Sequence, residues 1–130
     1  MSGAAARRRA ERRGAWGEIA AAALLMLKGY QIVARRRRTG FGEIDLIARR
    51  GGVLAFVEVK TLASAAARAD PVRPRQMVRT ARAASVFRGQ RPDLARLDMR
   101  YDWVIVAPWR WPAHHADAWR PDSPDLAHLN

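Results

Sequence analysis

Cysteine is missing from all 130 residues, which excludes disulfides and thiolate-held zinc and leaves a reducing compartment open, with the cytoplasm as the expected location. Acid is scarce as well. Twelve Asp and Glu face 24 Lys and Arg, giving a formal charge of +12 and a pI near 11.7. A polyanion is therefore the natural partner, nucleic acid ahead of an anionic membrane. Lysine is nearly absent among those bases: only Lys28 and Lys60 are not arginine. Arginine keeps its proton, whereas a lysine amine can be tuned, so Lys60 stands out as a group retained for chemistry. The apolar run Ile19–Leu27 is far shorter than the roughly 20 residues that span a bilayer. No internal repeat and no glycine-rich phosphate loop is present.

What is there suits one domain with frayed ends. Residues 1–13 are small and basic with nothing to bury and read as a disordered arm. Arm and apolar run together resemble a secretory signal, but Glu18 opens the run and no small-residue cleavage site precedes Arg35–Arg38, so retention in the cell is expected. Trp16, Ala20, Ala23, Leu24 and Leu27 recur at helical spacing and predict an amphipathic helix over 15–28, ended by Gly29. Glu18 lies off that stripe, and helix physics alone reads it as an exposed acid complementing the dipole. Residues 30–35 read as a strand, and the basic block Arg35, Arg36, Arg37, Arg38 as a loop that meets phosphates.

The most informative stretch is 42–60, GEIDLIARRGGVLAFVEVK. Alternation puts Glu43, Asp45 and Ile47 on one side of a strand, and Leu54, Phe56, Glu58 and Lys60 on one side of the next. Arg49-Arg50-Gly51-Gly52 is turn chemistry, so the two runs pair antiparallel. A register with Asp45 opposite Glu58 also sets Glu43 opposite Lys60. Two carboxylates then lie within cross-strand reach of each other, an arrangement with little structural purpose.

Residues 61–70 are small and polar, a connection able to close over a substrate. A second helix is expected from about Pro74 to Phe87, with proline tolerated in its first turn. Arg75, Arg79 and Arg82 form a basic stripe along it, a track for phosphates or an ordinary solvent face, and Gln76 lies beside them. A last strand is expected at 99–107, its Val104-Ile105-Val106 run indicating burial on both faces. From Pro108 the chain is rich in tryptophan and proline. His114-His115 with Asp117 is a weak metal pattern, because adjacent side chains diverge on a strand, and the tryptophans cap a core or stack on bases.

Asp45, twelve intervening residues, then Glu58-Val59-Lys60 suits a divalent, oxygen-preferring ion such as Mg²⁺ or Mn²⁺, held by two carboxylates and the strand carbonyl of Val59. Lys60 beside it would orient or help deprotonate an attacking water. Gly42-Glu43-Ile44-Asp45-Leu46-Ile47-Ala48 followed by Phe56-Val57-Glu58-Val59-Lys60-Thr61 closely resembles the uncharacterised YraN-type bacterial family, of the PD-(D/E)xK nuclease superfamily, similar to archaeal Holliday junction resolvases. The resemblance covers about residues 14–107 and takes in Gly17-Glu18, Lys28-Gly29-Tyr30 and Arg100-Tyr101-Asp102, with a fainter echo at Ala118-Trp119. Leu62 and Arg75 depart from it, standing where the family commonly has a basic residue and a lysine.

The resemblance implies an α/β, restriction-endonuclease-like core in the order α-β-β-β-α-β with a mixed central sheet. It implies a nuclease-like domain at 14–107 between the arm and a C-terminal extension at 108–130. Asp45 and Glu58 would hold the metal, joined by Glu18, and Lys60 would assist catalysis. The expected function is metal-dependent endonucleolytic hydrolysis of DNA, favoured over RNA, including branched or structured DNA. The alternatives are a non-catalytic nucleic-acid-binding module of the same fold and a scaffold for another protein. Resolvase-like nucleases often act as symmetric dimers, so a homodimer is also implied, although no surface for it is marked.

Overall fold

A computed structural model of the chain describes residues 3–67 and 74–122, and only the backbone of 5–13. Five strands form one sheet in the order β1-β2-β3-β4-β5: β1 (Gln31–Thr39), β2 (Gly42–Arg50), β3 (Val53–Thr61), β4 (Asp98–Val106) and β5 (Ala113–Trp119). Neighbours run antiparallel except β3 and β4, which are parallel. Two helices complete the α/β fold, α1 (Gly3–Leu27) before β1 and α2 (Pro74–Gln90) between β3 and β4. A one-turn 3₁₀ helix, Pro92–Leu94, leads from α2 toward β4. Among the described residues no helix is long and apolar enough to cross a membrane.

The sheet buries both faces. Ala21, Ala22 and Leu25 of α1 pack with Leu46, Ala48, Ala55, Val57, Val104 and Val106. Ala83, Ala84 and Phe87 of α2 pack on the other face with Ile47, Leu54 and Phe56. β3 therefore alternates as its sequence leads one to expect, Leu54 and Phe56 toward α2, Ala55 and Val57 toward α1. The turn between β2 and β3 is Gly51-Gly52, with Gly51 at φ 57°, and the strands pair from Arg50–Val53 to Leu46–Val57. That is the register that follows from opposing Asp45 to Glu58. Arg49 and Arg50, expected in the turn, are the last residues of β2.

Several elements differ from expectation. α1 starts at Gly3, so most of the stretch read as a disordered arm is helical. Alanine and arginine are strong helix formers, and extending a helix is cheaper than nucleating one. The buried face of α1 is also rotated: Ala21 and Leu25 are fully buried, while Trp16 and Leu27 are exposed. An alanine-rich run offers no polar face from which periodicity could choose. Its end is as expected, with Gly29 at φ 91° and N–H groups of Gly29 and Tyr30 donating to Met26 and Leu25 at 3.0 and 2.9 Å, a Schellman closure. Arg35–Arg38 belong to β1 instead of a loop. β5 was not expected at all: His114-His115-Ala116-Asp117 carries no β-branched residue, and pairing with β4 supplies what propensity lacks. Residues 68–70, part of the expected closing connection, lie outside the described residues, as do 123–130 of the extension and the side chains of most of the basic arm.

Candidate metal centre

The site forms where β2 peels away from β3. Their ladder stops at Leu46–Val57, while β3 stays paired with β4 as far as Thr61–Val106. In the gap, the Val59 N–H donates to Asp45 Oδ2 at 2.8 Å, so a side-chain carboxylate replaces the strand carbonyl that a continued ladder would supply. The disturbance reaches the neighbouring strand. Arg36 has φ 49° and lies between the Arg35–Leu46 and Arg37–Ile44 pairs. Ile44 packs on the α2 side and Leu46 on the α1 side, although two residues apart on a regular strand share a face. Asp45 occupies the break.

The third segment is α1. A Cβ on Gly17 would meet Thr61 Oγ1 at 1.9 Å, so the helix approaches the end of β3 more closely than any side chain allows. That contact brings the next residue, Glu18, to the fork. Carboxylate oxygens of Glu18, Glu43 and Asp45 lie within 4.8 Å of one another. Glu18 also accepts from Arg36 Nε at 2.5 Å, its side chain only 13 % exposed, and Glu43 accepts from Arg38 Nε at 3.2 Å.

The electrostatics follow from crowding acids in a half-buried cleft. Burial pushes Asp45 up to about 6; the Val59 N–H opposes this, and the charges of Glu58, Glu18 and Glu43 reinforce it. Burial also raises Glu58, against the lowering effects of Lys60 and of the hydrogen bond from Gln76. Three carboxylates from two backbone segments, Glu18 of α1 with Glu43 and Asp45 of β2, make an all-oxygen donor set of the kind that hard divalent cations take. A dication would offset the burial, and the repulsion that reinforces it, that together hold Asp45 high, so the residues fit Mg²⁺ or Mn²⁺.

The expected group was Asp45, Glu58 and Glu18 with the Val59 carbonyl. The structure brings Asp45 and Glu18 together, with Glu43 as the third member, while Glu58 accepts a hydrogen bond from Gln76 Nε2 of α2. Val59 touches the site through its N–H. Lys60 follows Glu58 on the α2 side of β3, close enough for its charge to act on that carboxylate. Glu43 was not among the residues expected in the carboxylate group, yet its position two residues before Asp45 on the same strand was the available signal.

The basic run divides. Arg36 reaches Glu18, Arg38 reaches Glu43, and Arg37 bonds Gln90 Oε1 at 2.6 Å, while Arg35 is exposed. Arg75, Gln76 and Arg79 line a cleft between α2 and the β1–β2 turn. Arg82 stands over the Phe41 ring of that turn. The weak histidine pattern does not converge: His114 lies between Lys28 and Asp102, His115 is exposed, and the Asp117 carboxylate pairs with Arg120.

The family model of the uncharacterised protein family UPF0102 matches residues 17–106, from the glycine against Thr61 to the last residue of β4. The chain belongs to the UPF0102 family. This is the YraN-type family that the hairpin resembles. UPF0102 proteins similar to this chain include one from Maricaulis maris, 52 % identical over 89 % of this chain and 91 % of its own length. One from Parvibaculum lavamentivorans is 52 % identical over 86 % and 84 %, and one from Mesorhizobium japonicum 51 % over 88 % and 91 %. The UPF0102 match spans every carboxylate of the fork together with Lys60 and ends before β5.

Proposed function

We propose that this protein is a metal-dependent endonuclease with a restriction-endonuclease-like fold of the PD-(D/E)xK kind, hydrolysing phosphodiester bonds in DNA, including branched or structured DNA. The observation that carries this reading is Asp45 in the strand fork, tied to Val59 N–H and grouped with Glu18 and Glu43. Asp45, Glu18 and Glu43 would hold Mg²⁺ or Mn²⁺, with Glu58 beside them. The bound ion supplies charge stabilisation at the scissile phosphate and a lowered pKa for water. Glu58 is held in place by Gln76 and neutralised in part by Lys60. Lys60 orients the attacking water and takes part in removing its proton. Arg75, Arg79 and Arg82 bind the phosphate backbone, which gives strong dependence on salt and little reading of base sequence.

The test is nicking of branched and linear DNA with Mg²⁺ or Mn²⁺ by the wild type and by Glu58→Ala and Lys60→Ala. Cleavage falling by a hundredfold or more in both variants is expected; undiminished cleavage by both rules the site out. A second reading, a nucleic-acid-binding module without turnover, is favoured by one feature. Glu18 is already neutralised by Arg36, so the fork needs no ion to hold that acid. Salt-sensitive binding of DNA without cleavage and without divalent-ion uptake would select it.

A further inference from the structure

Phe41 lies in the β1–β2 turn and is 44 % exposed. Its backbone N–H donates to Thr39 Oγ1 at 3.1 Å, and the same hydroxyl donates to Gly42 O at 3.1 Å, so the turn holds the ring out instead of letting it collapse onto the sheet. Across from it, α2 presents Arg75, Gln76 and Arg79 to a cleft of about 410 Å³ that Phe41 and Glu43 close on the strand side. The Arg82 guanidinium lies over one face of the Phe41 ring, 5.9 Å from its centroid, a cation–π contact that steadies the ring. Glu43 belongs at once to this cleft and to the carboxylate group with Glu18 and Asp45, and Gln76 holds Glu58. The cleft therefore opens directly onto the fork.

An aromatic ring, two guanidiniums one helical turn apart and a volume within the range of small-ligand pockets together match one nucleotide, its base on the ring and its phosphate on the arginines. A base inside an intact duplex is already stacked on both sides and cannot reach a ring in such a cleft. We infer that this cleft takes a single unstacked nucleotide adjoining the phosphate at the fork, and that Phe41 makes the protein select nucleic acid with a single-stranded segment over intact duplex. This rests on the nuclease reading only for what happens to the phosphate afterwards. Stacking of bases on aromatic side chains tolerates all four bases, so the selection is for structure and not for sequence.

The test is binding, in the presence of chelator, of a fluorescently labelled single-stranded oligonucleotide and of the corresponding duplex, by the wild type, Phe41→Ala and Phe41→Trp. Phe41→Ala is expected to lose about tenfold in single-strand affinity and far less on the duplex, with Phe41→Trp restoring most of the loss. A 2-aminopurine base in the single strand should be quenched by the wild type and by Phe41→Trp but not by Phe41→Ala. Equal losses on both substrates, no loss, or no binding of single strand by the wild type overturns the inference. Because no divalent ion is present, these results are independent of cleavage: a protein that selects single strand through Phe41 but never cuts defeats the nuclease reading and leaves this one standing.

Discussion

Two aspartates on the same sheet, Asp102 and Asp45, sit in opposite electrostatic surroundings. Asp102 of β4 is 1 % exposed, yet every oxygen is answered. Arg100 donates to both oxygens at 2.8 and 2.7 Å, His114 Nε2 lies 2.8 Å from Oδ2, and the Asp117 N–H donates to Oδ1 at 3.0 Å. Burial alone would raise its pKa, but these bonds outweigh it and hold the carboxyl below its usual value. The network extends outward: Arg100 also bonds the Tyr30 hydroxyl at 2.5 Å, and Lys28 Nζ lies 2.5 Å from His114 Nδ1. An ammonium only donates and a carboxylate only accepts, so the two contacts suit a His114 ring that accepts at Nδ1 and donates at Nε2. Asp45 is less buried, has one protein donor and three acidic neighbours, and is pushed the opposite way. Satisfaction makes Asp102 a cornerstone of the fold; Asp45 is left among like charges in the group that is the candidate metal site.

The largest effect that would break this contrast is at Asp102. Asp102→Ala leaves Arg100 and His114 without their acceptor and should cost about 3–5 kcal/mol, measured by denaturant unfolding. A cost near zero would remove the structural role. Next comes Gly17→Ala, whose methyl must displace Thr61. A loss of about 2–3 kcal/mol is expected, together with weakened divalent-ion binding as Glu18 moves. Adding Thr61→Ala should recover much of both, and failure to do so would mean that the close approach does not position Glu18.

The pH dependences of the two aspartates should then be opposite in sign. Below about pH 3.9 Asp45 is protonated in both folded and unfolded chains. As the pH rises toward 6 the unfolded chain ionises while the folded carboxyl resists, so stability is lost across that window. With partial exposure discounted, the loss is roughly 1–2 kcal/mol, and Asp45→Asn should abolish it. Asp102 contributes stability above about pH 3.9 that disappears only as the pH falls through its depressed pKa. Parallel pH profiles for wild type and Asp45→Asn would contradict this. The smallest effect is at the exposed rim of the Asp102 network: Lys28→Ala should cost under about 1 kcal/mol, checked by thermal unfolding.

How much of this was legible in the sequence depended on local constraint. The β2–β3 hairpin was readable because Gly51-Gly52 admits few turns and the alternation on either side sets the register. α2 was readable from its proline start and spacing. The face of α1 was not, because alanine packs equally well on any side and the choice rests on tertiary contacts such as Gly17 against Thr61 and Leu25 in the core. β5 was invisible because its stability is borrowed from β4 and from the Asp102–His114 bond. In the candidate site, Asp45 and Lys60 could be named from residue type and spacing, whereas Glu18 came only through the resemblance to the family. The spacing offered Glu43 as a neighbour of Asp45, but that Glu43 groups with Asp45 and Glu18 while Glu58 turns to Gln76 depends on where β2 leaves β3, which only the structure shows.

The most direct measurement is calorimetric titration of Mn²⁺ into the wild type and Asp45→Asn near pH 6. The wild type should take up the ion and release protons as Asp45 gives up its own, and Asp45→Asn should take up none. Equal uptake by the two proteins, or no uptake by the wild type, would contradict a metal centre at the strand fork.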